Sequence, residues 1–329
     1  MSSSKVCLYL SLLSMAASAE QSSSDLVENI LEGRVLQMQG RFQEAKLRFE
    51  SALREAERAP EKADTLTMAL SNLASVQIDL GRLDEAARLC GRAISILIKT
   101  AEEADSRVQR LRTELAALYL ASGQDSTAEK LLRQTVALQA RTSQTATPEG
   151  AYTLDVLACF YARRNKLALA EKTERQALSV LEAISGSGSL SIGESSLHLS
   201  VFLNSRKRAA DALPYAERAM AIFKALPEPQ PFLESAARMC LASIYAGLGR
   251  GDEARAESEG AVRQFEAFFG PDHPETGWAL LAHAAVLRHL NWRREARAAQ
   301  EMGNRIVEAN RKQNHLGDTV PLETLLPVR

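Results

Sequence analysis

The residues of this chain best suited to chemistry are its histidines, and the most suggestive one lies in the stretch FFGPDHPET, Phe268 to Thr276. A histidine between two prolines could bind a metal, act as a catalytic base, or belong to a turn. His283 and His289 are six residues apart and lie on different helical faces, unlike the i, i+4 pair of a zinc-protease helix. His198 and His315 stand alone, and no GxSxG, phosphate-loop or Rossmann pattern is present. We therefore predict no enzyme, and no catalytic, cofactor-binding or metal-binding residue.

A repeat determines how that loop is interpreted. GRFQEA, GRLDEA and GRGDEA recur, and the same frame returns at intervals of 41 and then 42 residues. We call the first residue of each frame the anchor. The seven anchors are Gly40, Gly81, Gly123, Asn165, Lys207, Gly249 and Asn291.

Small residues recur at fixed distances from every anchor. Alanine stands five residues after all seven anchors, and Gly, Ala or Ser stands seven residues before each. Twelve residues after the anchor, alanine is replaced only by Thr135 and Gly303. Small side chains let two helices approach to about 8 Å. Apolar residues around them follow a helical period, as from Leu83 to Leu97.

Each unit is therefore predicted to be a helical hairpin, with helix A before the anchor and helix B after it. The anchor forms a tight turn in the left-handed conformation, which Gly adopts freely and Asn tolerates, so Lys207 is the weak turn. The FFGPDHPET stretch joins units six and seven, where Gly270 ends one helix and Pro274 begins the next. His273 is accordingly predicted to be a turn residue. Ser185–Gly193 (SGSGSLSIG) is predicted to be a flexible loop between units four and five.

This pattern resembles the tetratricopeptide repeat (TPR), and the 42-residue period with FFGPDHPETGWALLAHAAVLRHLNWRREA resembles the kinesin-light-chain-type subgroup. The resemblance covers roughly Leu26 to Asn310. It implies an all-α fold, a right-handed α-solenoid or superhelix of about seven helix-turn-helix repeats, with A helices lining a concave groove. We expect the array over residues 20–312, after a signal peptide at 1–19 and before a C-terminal tail at 313–329.

In this family the groove-lining residues lie 13, 10, 6 and 3 positions before the anchor, on helix A. Asparagines nine before the anchor often clamp a peptide backbone in kinesin-light-chain-type units, but this chain has only Asn72 there, which argues against such a clamp. Tyr152, Met239 and Trp278 are the best candidates for apolar contact with a peptide, with packing between helices as the alternative. The predicted groove residues are Arg34, Met68, Ser71, Asn72, Arg110, Tyr152, Asp155, Leu197, Met239, Trp278 and Arg288.

The two chain ends lead to further expectations. A lysine, an uncharged apolar core and Ala17-Ser18-Ala19 are typical of a secretory signal cleaved after Ala19, which predicts an exported protein, periplasmic or secreted. An uncleaved anchor, or a different start and a cytoplasmic protein, remains the alternative. The apolar run is too short to span a bilayer. The tail contains VPLETLLPVR, Val320 to Arg329, which we expect to cap unit seven or lie in the groove.

Composition narrows the class of partner. Forty basic and 41 acidic residues give a net charge of -1, so we expect no nucleic acid. Cys90, Cys159 and Cys240 are predicted to be buried structural thiols, because distant units of a linear stack do not touch. The leading hypothesis is a non-catalytic, cofactor-free scaffold that binds a protein or peptide in its groove. The alternatives are a structural subunit whose groove holds its own tail or a second copy, as in a homo-oligomer, or an accessory subunit of an enzyme encoded elsewhere.

Overall fold

The computed structural model describes residues 24–38, 41–58, 63–100, 105–121, 123–185, 188–227 and 230–314. All regular structure in these residues is helical, which confirms the predicted all-α class. The predicted signal peptide and residues 315–329 of the tail lie outside the described residues. The fourteen helices are α1 (Ser24–Met38), α2 (Phe42–Glu57), α3 (Ala63–Asp79), α4 (Leu83–Thr100), α5 (Ser106–Ala121), α6 (Asp125–Arg141), α7 (Pro148–Arg163), α8 (Leu167–Ser185), α9 (Leu190–Ser205), α10 (Ala209–Ala225), α11 (Pro231–Gly247), α12 (Gly251–Phe269), α13 (Pro274–His289) and α14 (Arg293–Asn314).

The helices pair into the seven predicted hairpins, with odd-numbered A helices and even-numbered B helices. They form two compact units, an N-terminal lobe that ends at Val156 and a C-terminal lobe that begins at Leu157. In the N-terminal lobe, α1 packs on α2, α3 on α4 and α5 on α6, while α2 contacts α3 and α4 contacts α5. Helix α6 is joined to α7 by a hydrogen bond from Gln139 to Thr153. The C-terminal lobe repeats this order from α8 to α14. Helix α14 reaches Asn314, two residues beyond the boundary that we expected for the array.

Six anchors lie in the described residues, and all six have a positive φ, from 56° at Asn165 to 77° at Gly123. Each turn is closed by the same two backbone hydrogen bonds. In the second hairpin the Gly81 amide donates to the Ile78 carbonyl, and the Arg82 amide donates to that of Gln77. This pair of bonds defines the Schellman ending of a helix. The predicted left-handed turn is therefore confirmed, including the unfavourable one at Lys207, whose φ is 61°.

Arginines next to Lys207 bind a carboxylate of the preceding hairpin. Glu171 on α8 accepts hydrogen bonds from Arg206 and from Arg208, the latter at 3.1 Å, and also from Arg175 one turn along its own helix. Burial of the Glu171 carboxyl would raise its pKa, but the hydrogen bonds and charges of these arginines outweigh burial and hold the pKa below its ordinary value. The weakest turn thus receives support from its neighbour.

The predicted small positions are all buried. The alanines five after the anchors are at most 3% exposed, and the small residues seven before and twelve after are buried as well. At Gly33, an added Cβ would lie 2.5 Å from the Phe49 ring, so a larger residue cannot fit between α1 and α2. The stacking rule inferred from the sequence is confirmed at these positions.

The two predicted loops differ in outcome. His273 caps α13, because its Nδ1 accepts the Glu275 amide at 3.2 Å, and its ring stacks on Phe269. Gly270 before it has a φ of 92°, so the turn assignment is confirmed. The loop predicted to extend to Gly193 was wrong at its C-terminal end, because α9 begins at Leu190. Gly193 is helical and buried, where an added Cβ would meet the Phe223 ring at 2.6 Å.

Candidate binding groove

Helix α1 begins the A-helix face of the N-terminal lobe. Arg34 is half-buried, and its Nε donates to Asn72 Oδ1 on α3 at 3.0 Å. Burial lowers the pKa of Arg34. Met68 and Ser71 are buried, and the Ser71 hydroxyl makes no hydrogen bond with the described residues. Of the four predicted groove residues on α1 and α3, Arg34 is accessible to a partner, and it also forms a hydrogen bond with the next A helix.

The last residues of this lobe's face alternate between buried and accessible side chains. Arg110 is half-buried and lies 3.5 Å from the Glu114 carboxylate one turn further along α5. On α7, Tyr152 is half-buried and Asp155 is buried. Arg110 and Tyr152 are the members of this set that a partner can reach without a rearrangement.

In the C-terminal lobe the predicted residues also divide by exposure. Leu197 on α9 is 4% exposed and Met239 on α11 is 1% exposed, so neither presents a surface to a partner. Trp278 on α13 is half-buried, and Arg288 at the end of that helix is exposed, with its guanidinium donating to Gln300 Oε1 at 2.9 Å. Of the three apolar contact residues that we predicted for a peptide, Tyr152 and Trp278 are therefore accessible, and Met239 is buried between helices.

Hydrogen bonds between neighbouring A helices recur in register. Gln37 donates to Ser75 at 2.9 Å in the N-terminal lobe, and Asn204 donates to Ser243 at 2.9 Å in the C-terminal lobe. In both pairs the donor is three residues before its anchor and the acceptor six before the next. Sequence reasoning missed these bonds, although polar residues repeated at these two positions were a signal for them.

The three cysteines in the described residues, Cys90, Cys159 and Cys240, are buried and free, as predicted. Burial raises the pKa of the Cys90 thiol, and the Glu114 charge adds to this effect. Burial also raises the pKa of Cys240 to about 11, although its hydrogen bond to Ser200 acts in the opposite direction. Thiols of this kind are poor nucleophiles at neutral pH.

Cys159 and His198 are both buried in the C-terminal lobe, and their ligand atoms lie within 4.8 Å of each other. Thiol and imidazole are ligand types that zinc prefers. Sequence reasoning did not join these two residues, because they lie on successive A helices and only the stacking of α9 brings them together. His198 also stacks on the Phe202 ring.

None of the described helices is long and apolar enough to cross a membrane.

Comparison with known proteins agrees with the repeat. The tetratricopeptide repeat family matches residues 66–105 and, in a second match, 233–309. No curated protein matches the chain.

Several solved structures are similar in fold. BtubC (BKLC) from P. vanneervenii is 21% identical with a TM-score of 0.53, covering 76% of this chain and 94% of its own. A Rap protein complexed with competence and sporulation factor is 14% identical with a TM-score of 0.62, covering 88% and 79%. A putative kinesin light chain of P. anserina with TPR-like repeats is 25% identical with a TM-score of 0.46, covering 60% and 94%. The chain therefore contains tetratricopeptide repeats at residues 66–105 and 233–309, its all-α fold resembles the α-solenoids of these neighbours, and kinesin-light-chain-like proteins are among its structural neighbours.

Proposed function

We propose that this chain is a non-catalytic scaffold whose A helices bind a peptide or a segment of a partner protein. Tetratricopeptide folds are generally binding scaffolds without catalysis, and the Rap protein of this fold is complexed with a factor. The observation that carries the proposal is the residue types left accessible at the groove positions. Arg34, Arg110, Tyr152 and Trp278 are all half-buried A-helix side chains. Arg, Tyr and Trp are the residues that dominate the binding energy of protein interfaces.

A displayed library of random peptides tests the proposal. Peptides selected on the full chain are measured by fluorescence anisotropy against Tyr152→Ala and Trp278→Ala. A peptide that binds the N-terminal lobe should lose roughly tenfold or more in affinity with Tyr152→Ala, and one that binds the C-terminal lobe should do so with Trp278→Ala, as expected of an interface hot spot. The control is Tyr215→Ala on α10, which removes an aromatic ring from a B helix. Equal affinities for the groove variants and the control would overturn the groove assignment.

Met239 provides a second control within the groove positions. Because its side chain is 1% exposed, Met239→Leu should preserve both the fold and the affinity. The triple set Tyr152, Met239 and Trp278 thus separates contact with a partner from packing between helices.

We further propose that the protein is exported, on the basis of the apolar stretch and Ala17-Ser18-Ala19. Mass spectrometry of the protein purified from its native source should find Glu20 as the first residue. A mature chain that retains Met1 or Ser2 would refute cleavage at that site.

A further inference from the structure

An open cavity of about 420 Å³ lies between the end of α13 and the start of α14. Its lining residues are Arg288, Arg293, Ala296, Arg297 and Gln300. We call it the arginine pocket. Its volume is within the range of ligand-binding clefts. Three of its five lining side chains carry a fixed positive charge.

The pocket occupies a position that the earlier hairpins fill with protein. The residue nine after the anchor is buried in each of the first six hairpins. In the sixth hairpin that residue, Ser258, lies 2.8 Å from His283 Nδ1 on the next A helix. Gln300 holds the position in the seventh hairpin and is exposed. The surface is thus shaped to receive a segment of chain, and no described helix comes after α14 to supply it.

The arginines here also lack the acidic partners found elsewhere. Arg255, the equivalent of Arg297 in the sixth hairpin, pairs with Glu259 at 2.6 Å and lies over the Trp292 ring. The guanidinium groups of Arg293 and Arg297 make no hydrogen bond or ion pair with the described residues. Among the described residues, the Arg288 side chain is bound only to the neutral amide of Gln300. Three of the five lining residues are therefore positively charged and none of the five is acidic.

We propose that the arginine pocket binds an acidic peptide segment of a partner protein. Guanidinium groups bind carboxylates through paired, charge-assisted hydrogen bonds, so three of them select a segment with successive Asp or Glu side chains. The N-terminal end of α14 adds the partial positive charge of the helix dipole. Small, buried Ala296 leaves room for the backbone of such a segment. This surface extends the proposed groove, with which it shares Arg288, and therefore rests in part on the proposed function.

The test uses the full chain and a fluorescein-labelled hexaglutamate peptide, with hexalysine as the probe of opposite charge. Anisotropy should show saturable binding of hexaglutamate that weakens as NaCl is added, and none of hexalysine. The double variant Arg293→Glu, Arg297→Glu should lose roughly tenfold or more in affinity. The matched control is Arg294→Glu, Arg305→Glu, which makes the same charge change at two exposed positions of α14 outside the pocket. Circular dichroism of each variant checks that it remains helical.

Three results would overturn the proposal. Equal losses in the two double variants would mean that only net charge matters. Absence of saturable hexaglutamate binding by the wild-type chain would show that the pocket is not open to an acidic partner. Binding that emerges only after deletion of residues 315–329, which contain Asp318 and Glu323, would assign the pocket to the chain's own tail. Arg293 and Arg297 lie outside the groove positions. Library peptides whose binding depends on Trp278 should therefore bind the double variant with unchanged affinity, so either proposal can fail alone.

Discussion

The inner hairpins and the two end hairpins of this chain use the same positions in different ways. Five residues before the anchor, the six later hairpins bury an apolar side chain that is at most 2% exposed. The first hairpin has Val35 there, which is 53% exposed, and Leu31 one turn earlier is 52% exposed. At the other end, the seventh hairpin exposes Gln300 nine residues after the anchor, where all six of its predecessors bury a side chain, and three arginines lie beside it.

This difference separates two requirements on a repeat sequence. Positions within a hairpin stay small in all seven units, because each hairpin must close on itself. Positions between hairpins stay buried only where a neighbour is present. The first hairpin exposes apolar residues on its outer face and the last exposes Gln300 and arginines, so these two hairpins differ in the partners that they favour.

The largest expected effect comes from truncating the same position in an inner and an end hairpin. Ile244→Ala removes a side chain that is 0% exposed and should lower the free energy of unfolding by about 2–5 kcal/mol. Val35→Ala, its equivalent on α1, should change that free energy by less than about 0.5 kcal/mol. Urea unfolding followed by circular dichroism measures both. Similar losses would show that the outer face of α1 is covered in the folded protein.

Enlarging the alanine five after the anchor gives the next effect. Ala254 packs against Ala242, Ala246 and Val286, so Ala254→Leu should cost about 1–3 kcal/mol through overpacking. Ala296→Leu, at the same position in the seventh hairpin, should cost less because this residue borders an open cavity. Thermal unfolding of the two variants compares them directly. A larger loss at Ala296 would contradict the contrast between inner and end hairpins.

Substitutions six residues after the anchor test how much ion pairs between hairpins contribute to stability. Glu171→Gln should lower stability at pH 7 by on the order of 1 kcal/mol, since three arginines lose their shared carboxylate. Arg297→Gln, the equivalent change at the end hairpin, should be close to neutral. Urea unfolding at pH 7 measures both variants.

The same substitution predicts a pH dependence. The folded pKa of Glu171 lies below its ordinary value, so its stabilisation is complete above the unfolded pKa of about 4.3 and is lost as pH falls through the folded pKa. The difference between wild type and Glu171→Gln should therefore shrink from pH 6 towards pH 3. A difference that persists unchanged into acid would exclude the carboxylate charge as its source.

The smallest effect is expected at the turns. Lys207→Gly should raise stability by less than about 1 kcal/mol, because removal of a left-handed lysine gains about 1–2 kcal/mol and the entropy of glycine takes back part of it. Asn291→Gly should gain less, because asparagine tolerates this conformation. Melting temperatures of the two variants decide the order. A destabilised Lys207→Gly would mean that the lysine side chain makes contacts worth more than the backbone strain.

Much of this fold could be predicted from the sequence, because the strongest constraints are local and repeat with the period. The turn at Asn165 and the burial of Ala170 can be inferred from spacing alone. The helical state of Gly193 could not be predicted that way, because a glycine there signals a loop until the Phe223 ring packed against it is known. Burial of Met239 and exposure of Trp278 depend on side chains of adjacent helices, which no spacing rule specifies. The arginine pocket could not be predicted from spacing either, because the packing of α14 on α13 brings Arg288 close to Arg293, Arg297 and Gln300.

The left-handed turn has one more consequence, for how such a chain changes length in evolution. The two hydrogen bonds that close the turn use only main-chain atoms. Recombination between equivalent points of two turns therefore restores the same geometry at the join. Gain or loss of a whole 42-residue period leaves every remaining turn and helix face in phase. An insertion of one residue within a helix rotates the residues after it by about 100° and turns the alanines away from the helices that they contact.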